Sequence, residues 1–164
     1  MNAELRKQEE EHVVVYVRVA RARSGDDIRA ERQRGHCLAL CGRLGYEPDE
    51  IDVYQDVNAA ARSGRTLPGF DELLARVQPQ GATQILAWHI DRLCRTPGAL
   101  ASLVALAKTR PVRVETVAGA RFELGTSKGR PEAGRLVAIA STGARPIVGM
   151  TGSQRTPGGD RHGL

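Results

Sequence analysis

An α/β sandwich with a mostly parallel sheet is the fold class this chain predicts, and three observations predict it. Short β-branched apolar runs, the first of them Val13–Val19, have the pattern of strands buried on both faces. Between them lie segments whose apolar residues recur at helical spacing. The two kinds of segment alternate along the chain, as parallel strands joined by crossover helices require. The 164 residues fit one domain, and an apolar fraction of 41% supplies its core.

Residues 1–12 are dense in Glu, Lys, Arg and Gln and are expected to form a mobile tail ahead of a domain spanning 13–140. After the first strand, Arg21–Arg29 is polar, contains Ser24-Gly25-Asp26-Asp27, and reads as a loop. From Ala30 the residues Cys37, Leu38, Leu40, Cys41 and Leu44 mark one face of a helix that Gly45 stops. Ile51–Tyr54 reads as a second strand and Gln55–Leu67 as a long loop. Pro68 suits the first turn of a helix carrying Phe70, Leu73, Leu74 and Val77 at i, i+3, i+4 and i+7. Thr83–Trp88 is the third strand, and Pro97 opens a helix with Leu100, Leu103, Val104 and Ala107 on one face. Val112–Val117 is the fourth strand, and Glu132–Ala140 a short helix after Gly129-Arg130. Residues 141–164 hold six glycines, two prolines and one acid, the composition of a disordered tail.

The 24 basic and 19 acidic residues leave a net charge of +5, which suits an anionic partner without singling out nucleic acid. Cys37, Cys41 and Cys94 are odd in number and lack zinc-site spacing, so they read as reduced core residues and no metal is implied. The first twelve residues are charged and the apolar run behind them is seven long, unlike a secretory signal. No stretch approaches the roughly 20 apolar residues that span a bilayer, so no membrane partner is expected and the expected location is the cytoplasm.

The chemistry concentrates in Trp88-His89-Ile90-Asp91-Arg92-Leu93-Cys94-Arg95, where an apolar strand breaks into a carboxylate and two arginines three apart. Tyr16-Val17-Arg18-Val19 delivers a third arginine at the end of another strand. Guanidinium forks match phosphate oxygens and never lose their charge, and ligands of parallel sheets collect beyond the carboxyl ends of strands. Surface salt bridges such as Asp91 with Arg95, or Asp56 with Arg62, account for any one pair alone. The joint pattern asks for more, because strand-end arginines on two strands repel unless they share an anion.

These motifs, over roughly residues 12–140, resemble the catalytic domain of the serine site-specific recombinases, the resolvase, invertase and large integrase family. Tyr16-Val17-Arg18-Val19 is similar to its first-strand motif, and Glu31-Arg32-Gln33 to its Glu-Arg-Gln signature, with Gln33 thirteen residues beyond position 20. Asp56 matches the acidic residue after the second strand. Ser63-Gly64 with Pro68-Gly69-Phe70 resembles the family's Ser-Gly loop and helix start, Asp91-Arg92-Leu93-Cys94-Arg95 its Asp-Arg-Leu-x-Arg motif, and Thr126 through Arg130 the turn before its long dimer helix. The resemblance implies a resolvase-like three-layer sandwich, DNA as partner, no cofactor, and a serine that attacks a phosphodiester to leave a phosphoseryl intermediate. Arg18, Arg92 and Arg95 would neutralise the non-bridging oxygens. Tyr16, Gln33, Asp56 and Asp91 complete the implied site.

The chain departs from that pattern at Ala20, which stands where the nucleophilic serine belongs and carries no hydroxyl. Leu67 replaces a customary arginine and Ala60 a common serine, and Ser141-Thr142-Gly143-Ala144-Arg145-Pro146 replaces the Glu- and Arg-rich dimer helix that leads to a DNA-binding domain. Ser24 is the one nearby hydroxyl available to substitute, four residues along the loop, where a displacement of about an ångström costs on the order of a hundredfold in rate. The expectation is therefore a recombinase catalytic domain without strand-cleaving activity. The alternatives are a non-catalytic module that binds DNA, forms a homodimer or pairs with an active recombinase, and an unrelated flavodoxin-like phosphate binder. The last would want a glycine-rich first loop, and Ala20–Asp27 has only Gly25.

Overall fold

Parallel pairing around the first strand organises the molecule. A computed structural model describes residues 12–19, 25–57, 67–77 and 83–142. The β-branched run forms β1 (His12–Val19), buried from Val13 to Val19. It pairs in parallel with β2 (Ile51–Val57) on one side and β3 (Thr83–Ala87) on the other. Beyond β3 come β4 (Val112–Thr116), also parallel, and β5 (Arg121–Glu123), antiparallel, in the order β2-β1-β3-β4-β5. Five α-helices and a 3-10 turn at Pro48–Glu50 complete the described fold: α1 (Asp26–Leu44), α2 (Pro68–Val77), the single turn α3 (Ile90–Leu93), α4 (Pro97–Ala107) and α5 (Gly129–Thr142).

Side-chain alternation along β1 sorts the layers. Val13, Val15, Val17 and Val19 face Ala30, Cys37, Leu40 and Cys41 of α1. Val14 and Tyr16 face the other way, into a cluster with Phe70, Leu73, Leu100, Leu103 and Val137, so α2 to α5 cover that face. Each buried valine contributes about 1.5–3 kcal/mol. The chain steps from β1 to β2 in one direction and back past β1 to β3 in the other. Right-handed crossovers then put α1 and α2 on opposite faces, and the reversal leaves a crevice between the carboxyl ends of β1 and β3. The expected three-layer sandwich is the fold.

Several boundaries differ from the sequence expectation, each through a nameable cause. His12, assigned to the tail, is the first residue of β1 and pairs with Thr83. The loop expected over Arg21–Arg29 ends early: α1 starts at Asp26, after Gly25 in the left-handed region at φ +95°, and Asp26 and Asp27 complement the positive end of the helix. Gln55, Asp56 and Val57, expected in a loop, belong to β2, which stays in register with β1 through Arg18↔Asp56 and Val19↔Val57. Pairing overrides the polar sequence there. Strands β3 and β4 each end one residue before the expected limit, at Ala87 and Thr116. Leu44, expected in the core, is 36% exposed at the end of α1. The turn α3 and the three-residue β5 carry too little periodicity to be foreseen. The last helix starts at Gly129, three residues before the expected Glu132, and runs two past Ala140 to Thr142. Ala20, Ser24, Ala60, Ser63, Gly64 and the segment 143–164 lie outside the described residues.

Two glycines sit where backbone meets backbone. A Cβ on Gly69 would lie 2.5 Å from the Gln55 carbonyl oxygen, and one on Gly129 only 2.2 Å from that of Glu123. The Gly129→Ala variant is expected to lose about 1–3 kcal/mol, as overpacking at a rigid contact does, measured as a lowered thermal midpoint. Burial also pushes the thiols of Cys37 and Cys94 up to about 12 and that of Cys41 up to about 11. All three should stay silent to a thiol reagent at about pH 8 in the native protein and react on unfolding.

Candidate phosphate-binding site

Period-2 alternation puts Arg18 on the Tyr16 side of β1, one residue from the strand's carboxyl end, and the register sets Asp56 of β2 beside it. Arg18 is 1% exposed. Its Nη2 donates to the Asp91 carbonyl oxygen, and its Nε is buried without a hydrogen-bond partner among the described residues. No described carboxylate forms an ion pair with it. Burial lowers the pKa of Arg18, and the positive charges of Arg92 and Arg95 push the same way, against Tyr16 and Asp91. A guanidinium does not deprotonate in response. Three cations therefore converge with one carboxylate among them.

That carboxylate is built into the turn after β3. His89 caps α3: its Nδ1 accepts the Asp91 N–H at 3.3 Å and lies 3.1 Å from Asp91 Oδ1. Arg92 Nε stands 3.6 Å from the same oxygen. The Cys94 N–H donates to the Ile90 carbonyl at 2.8 Å and closes the turn, and Thr96 then caps α4 through Ala99 N at 3.2 Å. Arg95 stands between the two caps, half-buried. On the β4 side, Val117 N and Ala118 N bond the carbonyls of Ala87 and Trp88 at 3.0 and 3.1 Å, so the pairing extends to the crevice rim.

Asp56 does a different job from the arginines. Its Oδ2 accepts Tyr16 Oη–H at 2.7 Å and Phe70 N–H at 3.0 Å, and its Oδ1 accepts Gly69 N–H at 2.9 Å. The carboxylate thus caps α2, where the helix end favours negative charge, and ties that helix to β1 and β2. Gly69 is the residue whose missing Cβ lets this happen. Tyr16 is raised well above the ordinary tyrosine range, first by burial and then by its bond to Asp56 and the Asp56 charge. Leu67, in the place of a customary arginine, packs against the core cluster.

The domain is thus a mostly parallel α/β sheet with arginines at its topological switch point, where ligands of such sheets collect. The chain belongs to the resolvase family of serine site-specific recombinases, whose family model, described as the resolvase N-terminal domain, matches residues 13–153. It shares its fold with a resolvase family site-specific recombinase from Streptococcus pneumoniae, at 20% identity, 80% of this chain and 86% of that one covered, and a TM-score of 0.56. The N-terminal catalytic domain of TP901-1 integrase is similar at 18% identity, with 80% and 95% covered and a TM-score of 0.53. No curated protein matches in sequence.

The structure brings Arg18, Asp91, Arg92 and Arg95 together and sets Tyr16 and Asp56 beside them. Gln33 stands apart, on the sheet-facing side of α1, which packs on the opposite face from Tyr16 and Arg18. Its Oε1 is buried without a partner among the described residues. Ala20 lies outside the described residues. Sequence reasoning gave no role to His89, although its i, i+2 spacing to Asp91 across a strand end is the available signal. It also missed the edge-to-face contact of Trp88 with His36 at 4.9 Å.

Asp56→Ala should cost about 3 kcal/mol in denaturant unfolding, because it strands two helix N–H groups and a buried phenol. The raised pKa of Tyr16 makes its protonated form the folded one. Its contribution is fully present below the unfolded value of about 10 and is lost as pH rises further. Tyr16→Phe should therefore flatten the stability loss above about pH 10.

Proposed function

We propose that this chain is a serine-recombinase catalytic domain that grips the DNA backbone at Arg18, Arg92 and Arg95 and does not cut it. The observation that carries this reading is the buried Arg18 guanidinium, bonded to a main-chain carbonyl and facing two further cations. Like charges gathered in a poorly hydrated crevice are relieved by an anion, and the fork geometry of arginine selects phosphate. Preorganised cations of this kind stabilise charge that develops on non-bridging oxygens during phosphoryl transfer. The covalent step needs a hydroxyl oxygen to bond phosphorus as the 3′ oxygen leaves. The methyl group of Ala20 has none to offer. Tyr16, Asp56 and Asp91 act in this reading by placing the arginines, whereas Gln33, on α1 behind the opposite face of the sheet, takes no part.

Ala20 equally supports the second reading, a non-cutting module that binds DNA or pairs with an active recombinase or a second copy of itself in the cytoplasm. Both readings need no metal or cofactor for the binding step.

Affinity for a short mixed-sequence duplex, followed by fluorescence anisotropy, is expected to fall steeply with added salt, because phosphate contacts release counterions. Arg18→Met should weaken binding about tenfold, ~1.4 kcal/mol, while leaving the thermal midpoint unchanged or higher, since it removes a buried charge that forms no ion pair with a described carboxylate. Tight, salt-insensitive binding would overturn the proposal. No covalent protein–DNA adduct should accumulate on a nicked suicide substrate. An adduct mapped to Ser24 would make the protein an enzyme with a displaced nucleophile.

A further inference from the structure

We infer that His89 is a fourth phosphate-binding residue of this site, donating through Nε2 to a backbone oxygen of the bound DNA. The inference rests on the phosphate-binding reading above and extends it to a residue outside the arginine set. His89 and Arg92 flank the same oxygen, Asp91 Oδ1, at 3.1 and 3.6 Å, while Arg18 takes the carbonyl of the same residue. The Asp91 main chain and side chain thus hold three donors in one cluster. The His89 side chain keeps 34% of its surface exposed at this rim, and its Nε2 has no hydrogen-bond partner among the described residues.

The position of the proton follows from the two contacts of Nδ1. A neutral ring that accepts the Asp91 N–H at Nδ1 must carry its hydrogen on Nε2. An imidazolium donates Nδ1–H to the Asp91 carboxylate and keeps Nε2–H as well. The remaining tautomer, with hydrogen on Nδ1 alone, donates to the Asp91 carboxylate and leaves Nε2 an acceptor, but gives up the bond from Asp91 N that caps α3. In the capped neutral form, and in the imidazolium, Nε2 is therefore a donor, preset in direction by its neighbour, as a ring nitrogen is when the other nitrogen is engaged. Leu67 leaves the site without a cation at its own position, since its side chain lies in the core cluster. His89 supplies a donor from the turn after β3.

A merely capping histidine and a phosphate-binding one are separable by His89→Asn. Asparagine caps helices well through its own oxygen but is too short to present a donor where Nε2 stands. The variant is expected to keep the wild-type thermal midpoint and to bind the duplex about threefold to tenfold more weakly. In the unaltered chain, the Nε2 resonance of His89, followed by long-range proton–nitrogen correlation, should shift on titration with the same duplex. If the duplex binds, Arg92→Ala weakens it, and neither His89→Asn nor the resonance responds, the assignment of His89 is overturned while the arginine site stands. If the unaltered chain does not bind the duplex at all, both fall. Should His89→Asn fail to fold, the resonance of the unaltered protein decides alone.

Discussion

A positive charge that cannot be neutralised, buried at the carboxyl end of β1, is the constraint on which the rest of this structure depends. Arg18 is placed by the period of β1, which sends valines to α1 and Tyr16 and Arg18 to the other face. Its partner is the Asp91 carbonyl, available because the chain leaves β3 in a tight turn and aims that oxygen back across the crevice. A carboxylate in the same place would have formed a closed ion pair with nothing left for a ligand. A carbonyl satisfies one N–H and leaves the charge for an anion.

The acidic residues divide the remaining labour. Asp91 lies among His89, Arg92 and Arg18 and sets their spacing, whereas Asp56 faces the same way from β2 and spends its oxygens on Tyr16 and the first turn of α2. Two carboxylates with the same relation to a strand end thus do unlike work, because one meets guanidiniums and the other a helix N-terminus. The close approaches at Gly69 and Gly129 serve the same scaffold. One lets α2 reach Asp56, and the other seats α5 against β5, where Thr126 Oγ1 bonds both Gly129 N and the Glu123 carbonyl.

Binding and cleavage are physically separable in such a site. Charge stabilisation resides in the arginines and their placement, while the covalent step resides in one oxygen. Position 20 is an alanine, which carries no such oxygen. In the function proposed above, the electrostatic part acts on the ground state, as adhesion to phosphate, in place of a transition state.

The amino-acid sequence by itself determined the alternation of strands and helices, the apolar faces of α2 and α4, and the arginines and carboxylates of the site, because strand-end motifs and helical periods are local patterns. The family was legible for the same reason: Asp91-Arg92-Leu93-Cys94-Arg95 and Tyr16-Val17-Arg18-Val19 are contiguous. Tertiary structure alone decided what depends on contact between distant segments. It lengthened β2 through Asp56 by pairing with β1, and it turned Asp56 into a helix cap. It put Gln33 behind the opposite face of the sheet, and made His89 a neighbour of the arginines. No period or propensity encodes those relations, since they arise where separate elements pair or pack, as when Asp56 meets Tyr16 of β1 and the first N–H groups of α2, or where a turn folds a residue onto its near neighbour.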